Sequence, residues 1–175
     1  MRIGCLLAEH FEDSEFRTSF EALRAAGHEV VVIGFEAGFV LRGIRREEQV
    51  RIDRGIAHVS SSDFDALLLP GGRSPERLRG DARMVAFTKG LVLRDRPVFA
   101  ICHGPQLLIA AGVVQGRTMT ACRSVQGELR SAGANVVDQE VAVDGNLVTS
   151  RELGDLQAFS KASIRVLDHA VPAYV

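Results

Sequence analysis

Short apolar runs alternate with amphipathic stretches along the chain. Four runs have the composition and length of buried strands, at residues 2–8, 29–35, 65–72 and 97–101. Between the first two, residues 13–29 place Phe16, Phe20 and Leu23 on one helical face, and Gly27 is a C-cap signal. This alternation predicts an α/β fold with a mostly parallel sheet that helices cover on both faces.

The rest of the chain continues the pattern with one exception. Further helices are predicted at 81–95, 104–114 and 155–170, and further strands at 118–121 and within 135–150. The exception, residues 40–59, consists of short alternating pieces around an early glycine and predicts a small antiparallel excursion. No repeat, linker or low-complexity tract interrupts the chain, so we expect one domain over residues 1–175.

Composition excludes several classes of partner. The net charge is −1 and the isoelectric point about 6.5, without the basic surface that nucleic-acid binding needs. No apolar window reaches the length of a membrane span, and acidic residues follow the apolar N-terminus at once, unlike a secretory signal. We therefore expect no stable nucleic-acid partner, no membrane partner and a cytoplasmic location.

Three polar segments follow the ends of strands in this arrangement. They are EHFEDSE at 9–15, PGGRSPE at 70–76 and CHGP at 102–105. In parallel sheets, working groups lie beyond the carboxyl ends of the strands, so segments far apart in sequence meet at one edge. The sequence therefore predicts a functional site at this edge.

Cys102 stands at a sharp junction between a strand and a helix. Ala100 precedes it by two positions and Gly104 follows it by two, as the crowded turn of a nucleophile elbow requires. Such a turn raises the side chain into a cleft, often with a strained backbone, and the helix start favours the thiolate. We predict a reactive Cys102 with a pKa below about 8.5. The alternative is an inert, buried cysteine.

The neighbouring residues offer further groups for attack on a carbonyl carbon. His103 is a candidate general acid and base, and its structural alternative is to fill the helix start. The backbone N–H after the nucleophile, with those of Gly71 and Gly72, is a candidate oxyanion hole. A plain tight turn is the other explanation for the two glycines.

Four of the carboxylates in the other two segments are candidate site residues. Glu12, Asp13 and Glu15 either complement the dipole of the first helix or hold one protonated carboxyl against the thiolate. Position in the loop favours Glu12 for the second role. Glu76 either contributes to the site or belongs to a short helical turn. The three cysteines are odd in number and follow no metal-ligand spacing, so we expect no disulfide framework, no metal and no cofactor.

Three longer stretches resemble one known family. LLLPGGRSPERLR, PVFAICHGPQLLIAAGVVQGR and VDGNLVTSRELGDLQAF are similar to the PfpI/ThiJ superfamily, specifically its PfpI branch of intracellular cysteine hydrolases. FEDSE and GHEV near the N-terminus fit as well, so the likeness covers nearly the whole chain. The pair AICHGP and PGGRxPE is highly specific.

The resemblance implies a flavodoxin-like three-layer sandwich of the class I glutamine amidotransferase type. It also implies that Cys102 is the nucleophile, that His103 is its partner, and that Glu12 is hydrogen-bonded to the cysteine. Glu76 is then delivered across a subunit interface. A composite site of this kind requires a homodimer or a multiple of one.

Members of this family act as intracellular peptidases, as cofactor-independent glyoxalases on methylglyoxal, or as deglycases of glycated protein or nucleotide. We expect a deglycase or glyoxalase whose substrate is a small carbonyl compound or a glycated amine or thiol, because a pocket sealed by a neighbouring subunit poorly admits a folded protein. A cysteine peptidase is the first alternative. A stress-response redox sensor or chaperone with an oxidisable cysteine is the second.

The chain departs from the family pattern at three places. Between Ser150 and Leu156 it lacks a proline that the family often has, which alters the entry into the last helix. Cys122 stands where relatives often carry an aromatic residue near the pocket, and His10 where they often carry an acid. With two thiols at one sheet edge, peroxide is expected to join Cys122 to Cys102 if their Cα atoms lie within about 7 Å.

Overall fold

A central sheet of seven strands organises the protein, and the computed structural model describes residues 1–170. In chain order the strands are β1 (Arg2–Leu6), β2 (Glu29–Gly34), β3 (Val40–Arg42), β4 (Gln49–Arg51), β5 (Arg54–Gly55), β6 (Ala66–Leu69), β7 (Val98–Ile101), β8 (Thr118–Met119), β9 (Asn135–Val136), β10 (Val141–Asp144) and β11 (Leu147–Ser150). Two small two-stranded sheets, β3-β4 and β8-β9, lie outside the central sheet. The helices are α1 (Asp13–Ala25), α2 (Ser74–Arg79), α3 (Ala82–Leu93), α4 (Pro105–Ala110), α5 (Arg123–Ser131) and α6 (Leu156–His169).

The strand order in the central sheet is β10-β11-β7-β6-β1-β2-β5. Every neighbouring pair in this sheet is parallel except β10 and β11, which form an antiparallel hairpin at one edge. The carboxyl ends of β1, β6 and β7 therefore lie side by side in the middle of the sheet. That edge carries the three polar segments that the sequence places after strand ends.

Helices cover both faces of the sheet, as the pattern predicts. One buried cluster joins the sheet to α2, α3, α4 and α5 through side chains such as Leu78, Phe87 and Leu107. The second joins the opposite face to α1 and α6, where Leu23 and Phe159 are buried. The fold is thus a three-layer α/β sandwich with a mostly parallel sheet, and this prediction is confirmed.

The segment after β2 is the small antiparallel excursion expected from the sequence. β3 and β4 pair antiparallel outside the central sheet, and β5 then returns to its edge beside β2. The helix predicted over 104–114 ends at Ala110, because Gly112 adopts a φ of 68° that ends a helix. The helix α5 was not predicted from the sequence. No helix among residues 1–170 is long and apolar enough to cross a membrane.

Candidate functional site

Cys102 occupies a left-handed backbone conformation directly after β7. Its φ is 60°, which is uncommon for a residue with a Cβ atom, and its N–H donates to the Ser150 carbonyl oxygen at 3.0 Å. The turn needs glycine two positions later, because a Cβ at Gly104 would collide with the carbonyl oxygen of Leu69. α4 begins at Pro105. The strand, strained residue and helix form the elbow expected from the sequence, and Cys102 is partly exposed there.

Glu15 lies against the thiol of Cys102. Its carboxyl is almost fully buried, accepts the Gly71 N–H at 2.7 Å and is hydrogen-bonded to the Cys102 side chain. Burial raises the pKa of Glu15 to about 8, because the two hydrogen bonds only partly compensate for lost hydration. At neutral pH the carboxyl therefore keeps its proton, so its O–H is a donor for the sulfur.

Glu12 has a different place from the one expected. Its carboxylate is the N-cap of α1, where it accepts the Glu15 N–H at 2.8 Å, and it lies 3.4 Å from the Arg45 guanidinium. The hydrogen bond to sulfur that we expected from Glu12 comes instead from Glu15, one helical turn later. Loop position alone did not distinguish the two residues. The first turn of α1 rotates Glu15 toward the sheet edge.

Asp13 ties the β3–β4 hairpin to the start of α1. Its buried carboxylate accepts backbone N–H groups of Arg45 at 2.8 Å, Glu47 at 2.9 Å and Glu48 at 2.8 Å. Burial opposes the charge, but these N–H groups together hold the pKa of Asp13 below its ordinary value. A Cβ at Gly43 would collide with this carboxylate, so the close approach requires glycine.

A second thiol lies on the other side of Cys102. Cys122 is the N-cap residue of α5, and its backbone N–H donates to the Cys102 carbonyl oxygen at 3.2 Å. Its Sγ is hydrogen-bonded to the Cys102 thiol, lies 3.6 Å from Nδ1 of His103 and lies 3.4 Å from Oγ of Ser124. The departure from the family pattern at position 122 therefore lies inside the site.

The two thiols share one easily lost proton. The pKa of Cys122 is lowered to about 4, first by its hydrogen bond with Cys102 and, against burial, by His103 and the Ser124 hydroxyl. The pKa of Cys102 is raised, first by the same hydrogen bond and then by burial. The Glu15 carboxyl adds to this rise only when it is charged, whereas its protonated form donates to the sulfur. The negative charge thus rests on Cys122 in the free protein, contrary to the depressed pKa that we expected for Cys102.

His103 joins the two thiols. Its Nδ1 is 3.3 Å from Sγ of Cys102, and its Nε2 is 3.2 Å from Oγ of Ser124. Its pKa is raised, first by the hydrogen bond to Cys122, while partial burial opposes this and nearby carboxylates add to it. One of these carboxylates is Glu76, which is exposed on α2. No hydrogen bond joins Glu76 to His103 within residues 1–170.

The glycine turn after β6 lies against the elbow. A Cβ at Gly71 would come within 2.9 Å of Cβ of Cys102 and 3.1 Å of N of His103. The Gly71 N–H is already taken by Glu15, so it is not free for a substrate oxygen. The backbone N–H groups of Gly72 and His103, by contrast, have no acceptor among the described residues. Those two are the oxyanion donors that this geometry offers.

Three side chains of the site also match the donor set of a soft metal ion. The ligand atoms of Cys102, His103 and Cys122 all lie within 4.8 Å of one another. They are the residues that could hold a metal, although no spacing in the sequence indicates it, because the fold brings two distant segments together.

His10 lies in the loop after β1, where its carbonyl oxygen accepts the Arg73 N–H at 2.8 Å. It has a φ of 61°, and its ring contacts the Arg77 guanidinium at 3.2 Å. A cavity of about 290 Å³ opens beside it and is lined by Glu9, His10, Arg42, Gly43, Ile44, Arg46 and Arg73. Residue 10 thus lines this cavity, and neither Cys102 nor Cys122 is among the lining residues.

Comparison with known proteins places this arrangement in a family. Residues 1–166 match the DJ-1/PfpI family. The chain is 50% identical over 167 residues to protein/nucleic acid deglycase 2 of Escherichia coli K12, covering 95% of this chain and 97% of that protein. It is 46% identical over 166 residues to "Putative cysteine protease YraA" of Bacillus subtilis 168, covering 95% and 98%.

A solved structure agrees with these sequence matches. The fold superposes with a TM-score of 0.93 on a two-domain protein of Anabaena variabilis that contains DJ-1/ThiJ/PfpI-like and ferritin-like domains. The sequences are 34% identical, and the match covers 95% of this chain and 48% of that one. The relatives named above support an enzyme of this class, and the chain belongs to the DJ-1/PfpI family.

Proposed function

We propose that the protein is a cofactor-independent, cysteine-dependent deglycase that acts on adducts of methylglyoxal with thiols or amines. The observation that carries this proposal is the strained Cys102, held between the protonated carboxyl of Glu15 and the His103 ring. The 50% identity to a protein/nucleic acid deglycase supports the same reaction class. Glyoxalase activity on free methylglyoxal is the same chemistry without the amine or thiol.

In this reaction the Cys102 sulfur takes the place of the amine or thiol at the former aldehyde carbon of the adduct. A proton then moves from that carbon to the neighbouring ketone carbon, which becomes an alcohol, and water hydrolyses the resulting Cys102 thioester to lactate. Nδ1 of His103, 3.3 Å from the sulfur, accepts the thiol proton and later returns it to the leaving amine or thiol. The N–H groups of Gly72 and His103 stabilise the negative oxygen. The balance is adduct plus water to lactate plus free amine or thiol, so no external oxidant or reductant is needed.

Two acidic residues support Cys102 in this mechanism, in different ways. Glu15 donates its O–H to the sulfur and so favours the thiolate form at the moment of attack. Glu12 acts as a positioning residue, because its carboxylate caps α1 at the Glu15 N–H and so orients that helical turn. Gly71 holds the Glu15 carboxyl through its N–H.

The proposal includes a composite site in a homodimer. Glu76 is exposed on the short α2 and makes no hydrogen bond to its own His103 among residues 1–170. In a two-fold dimer, Glu76 of the partner subunit would orient His103, and each site would repeat the contact. Mixing a Cys102→Ala variant with a Glu76→Ala variant should then restore part of the activity. A fully active monomer, or exchanged mixed dimers without activity, would rule this out.

The reaction is tested by lactate release from the hemithioacetal of methylglyoxal with N-acetylcysteine, and from a methylglyoxal-treated amine. Cys102→Ala should abolish release, whereas Cys5→Ala should not, because Cys5 is buried in the sheet away from the edge. Release that survives Cys102→Ala would exclude the proposed nucleophile. Release from neither substrate, with hydrolysis of denatured casein, would favour a peptidase.

The peptidase remains the second candidate because one relative, 46% identical, carries a cysteine protease name. The geometry fits it less well. Cys102 is only partly exposed and has Cys122 directly beside it, so little room is left for an extended peptide across the sulfur.

A further inference from the structure

The second thiol of the site has no part in the proposed deglycase reaction. Cys122 comes from the loop before α5, and the fold brings it to Cys102 although the two residues are far apart in the chain. Both thiols are free and partly exposed, whereas Cys5 is fully buried elsewhere in the sheet. A hydroperoxide that reaches Cys102 therefore meets two sulfurs at once.

We propose that Cys122 is a resolving thiol, so that the pair reduces hydroperoxides and ends as a reversible Cys102–Cys122 disulfide. This proposal goes beyond the deglycase reaction and does not depend on it. The chemical class of the substrate is a small hydroperoxide, and that of the reductant is a dithiol.

The backbone geometry allows the disulfide to form in place. The hydrogen bond from N of Cys122 to O of Cys102, at 3.2 Å, holds the two backbones at roughly the separation of paired strands, about 5 Å. Disulfides need Cα atoms about 4.4–6.8 Å apart. The two Sγ atoms already lie within 4.8 Å, so a rotation of the side chains suffices to join them.

The steps balance without a further reactant. Transfer of the shared proton to Cys122 gives a Cys102 thiolate, which attacks one peroxide oxygen. The O–O bond breaks, the leaving oxygen takes that proton from Cys122 to form an alcohol, and Cys102 becomes a sulfenic acid beside a Cys122 thiolate. The Cys122 thiolate then attacks the sulfenic sulfur, the S–O bond breaks, and the departing hydroxide takes a proton to become water. Nδ1 of His103 lies 3.3 Å and 3.6 Å from the two sulfurs, so one ring nitrogen serves both proton transfers.

The outcome differs from that of an isolated thiol. A sulfenic acid without a neighbouring thiol reacts with more peroxide to give sulfinate, which ordinary thiols do not reduce. With Cys122 in contact, the sulfenic acid is trapped first as a disulfide, which a dithiol returns to the reduced pair. The loop before α5 thus protects the nucleophile that β7 presents.

Mass spectrometry tests the proposal directly. The reduced protein, in buffer with a chelator to keep metal off the thiols, receives one equivalent of hydrogen peroxide, and free thiols are then blocked. The expected product has lost two hydrogens, and trypsin releases a cross-linked pair of peptides covering 95–117 and 118–123. Dithiothreitol should separate them and restore the original mass.

Two variants make the test specific. Cys122→Ser should fold, because serine is a preferred N-cap residue at the start of α5, and its Cys102 should reach sulfinate about tenfold faster than in the unchanged protein. Cys5→Ala is the matched control and should still form the disulfide. Sulfinate on Cys102 at equal rates with and without Cys122, or an unmodified 118–123 peptide after oxidation, would overturn the proposal.

Discussion

The two sides of Cys102 present opposite chemistry on similar frameworks. On one side, the first turn of α1 presents the carboxyl of Glu15; on the other, the first turn of α5 presents the thiol of Cys122. Glu15 is almost fully buried and neutral at pH 7, because burial raises its pKa to about 8. Cys122 is half-buried and charged, because its pKa is lowered to about 4.

The difference shows how neighbours decide protonation when both groups are removed from water. Glu15 accepts one N–H, that of Gly71, which is too little to hold a charge in an apolar setting. Cys122 has the Cys102 thiol, the His103 ring and the Ser124 hydroxyl around its sulfur. The site therefore combines a neutral donor with a stabilised thiolate, and each side can be altered separately.

Removing the acidic side should have the largest effect. Glu15→Ala deletes the O–H donor, and we expect lactate release to fall about 100-fold, whereas Glu15→Gln keeps an N–H donor and should lose about tenfold or less. Glu12→Gln should lose less still, since its amide oxygen can still cap α1. Exposed Glu21, on the same helix, gives the control Glu21→Gln. Equal losses in Glu15→Ala and Glu15→Gln would contradict a hydrogen-bonding role.

The same side should control the pH dependence of stability. The pKa of Glu15 is higher in the folded protein than in the unfolded chain, so the folded state binds the extra proton, and stability falls as pH rises from about 4.5 to about 8. Glu15→Gln has no such loss, so its stability relative to the unchanged protein should rise by at most roughly 1.4 kcal/mol per pH unit. Urea unfolding at pH 5 and pH 7 measures this gap. A constant gap would show that Glu15 is charged in the folded protein.

The thiol side is tested by titration. Cys102→Ala removes the hydrogen bond that contributes most to the low pKa of Cys122, so that pKa should rise by more than about one unit. Thiolate absorbance against pH reports it, and Cys5 stays silent because burial raises its pKa far above the usual range. An unchanged midpoint would mean that the two sulfurs do not share a proton.

The smallest effect is expected at the rim. Ser124→Ala removes one donor to Cys122 and the partner of Nε2 of His103, and both residues keep their other contacts. The pKa of Cys122 should rise by less than in Cys102→Ala, and lactate release should change by about threefold or less. Ser62, exposed in an unrelated turn, provides the control substitution Ser62→Ala. A rise as large as that of Cys102→Ala would move the main stabilising contact to Ser124.

The fold was predictable because its signals are local. Apolar runs of strand length and Gly27 fix the layers, and the small residues around Cys102 indicate the elbow. α5 was missed, since its buried face rests on few residues, among them Val125 and Leu129, with a glycine between them.

The site was harder to predict from the sequence than the fold. It depends on the direction in which the first turn of α1 points each side chain and on contacts between residues far apart in the chain. Glu12 and Glu15 are the same residue type in one acidic segment, so the sequence does not distinguish them. Because α1 begins at Asp13, Glu12 caps the helix and Glu15 points toward the sulfur. The Glu15 carboxyl occupies the Gly71 N–H that a substrate oxygen would otherwise use, and this contact forms only when the two loops fold together. The same holds for the contact between Cys102 and Cys122.

The Asp13 carboxylate packs against Gly43 and accepts backbone N–H groups of the β3–β4 hairpin, so the position of Glu15 depends on a hairpin about 30 residues away in the chain. Glu15 lies two residues after Asp13, so any movement of the start of α1 shifts the carboxyl that is hydrogen-bonded to Cys102. Among evolving descendants, Gly43 should therefore vary only together with Asp13, and a library randomising one position alone should yield inactive members. A library randomising both positions should recover active pairs, because a compensating change in the hairpin can restore the position of Glu15.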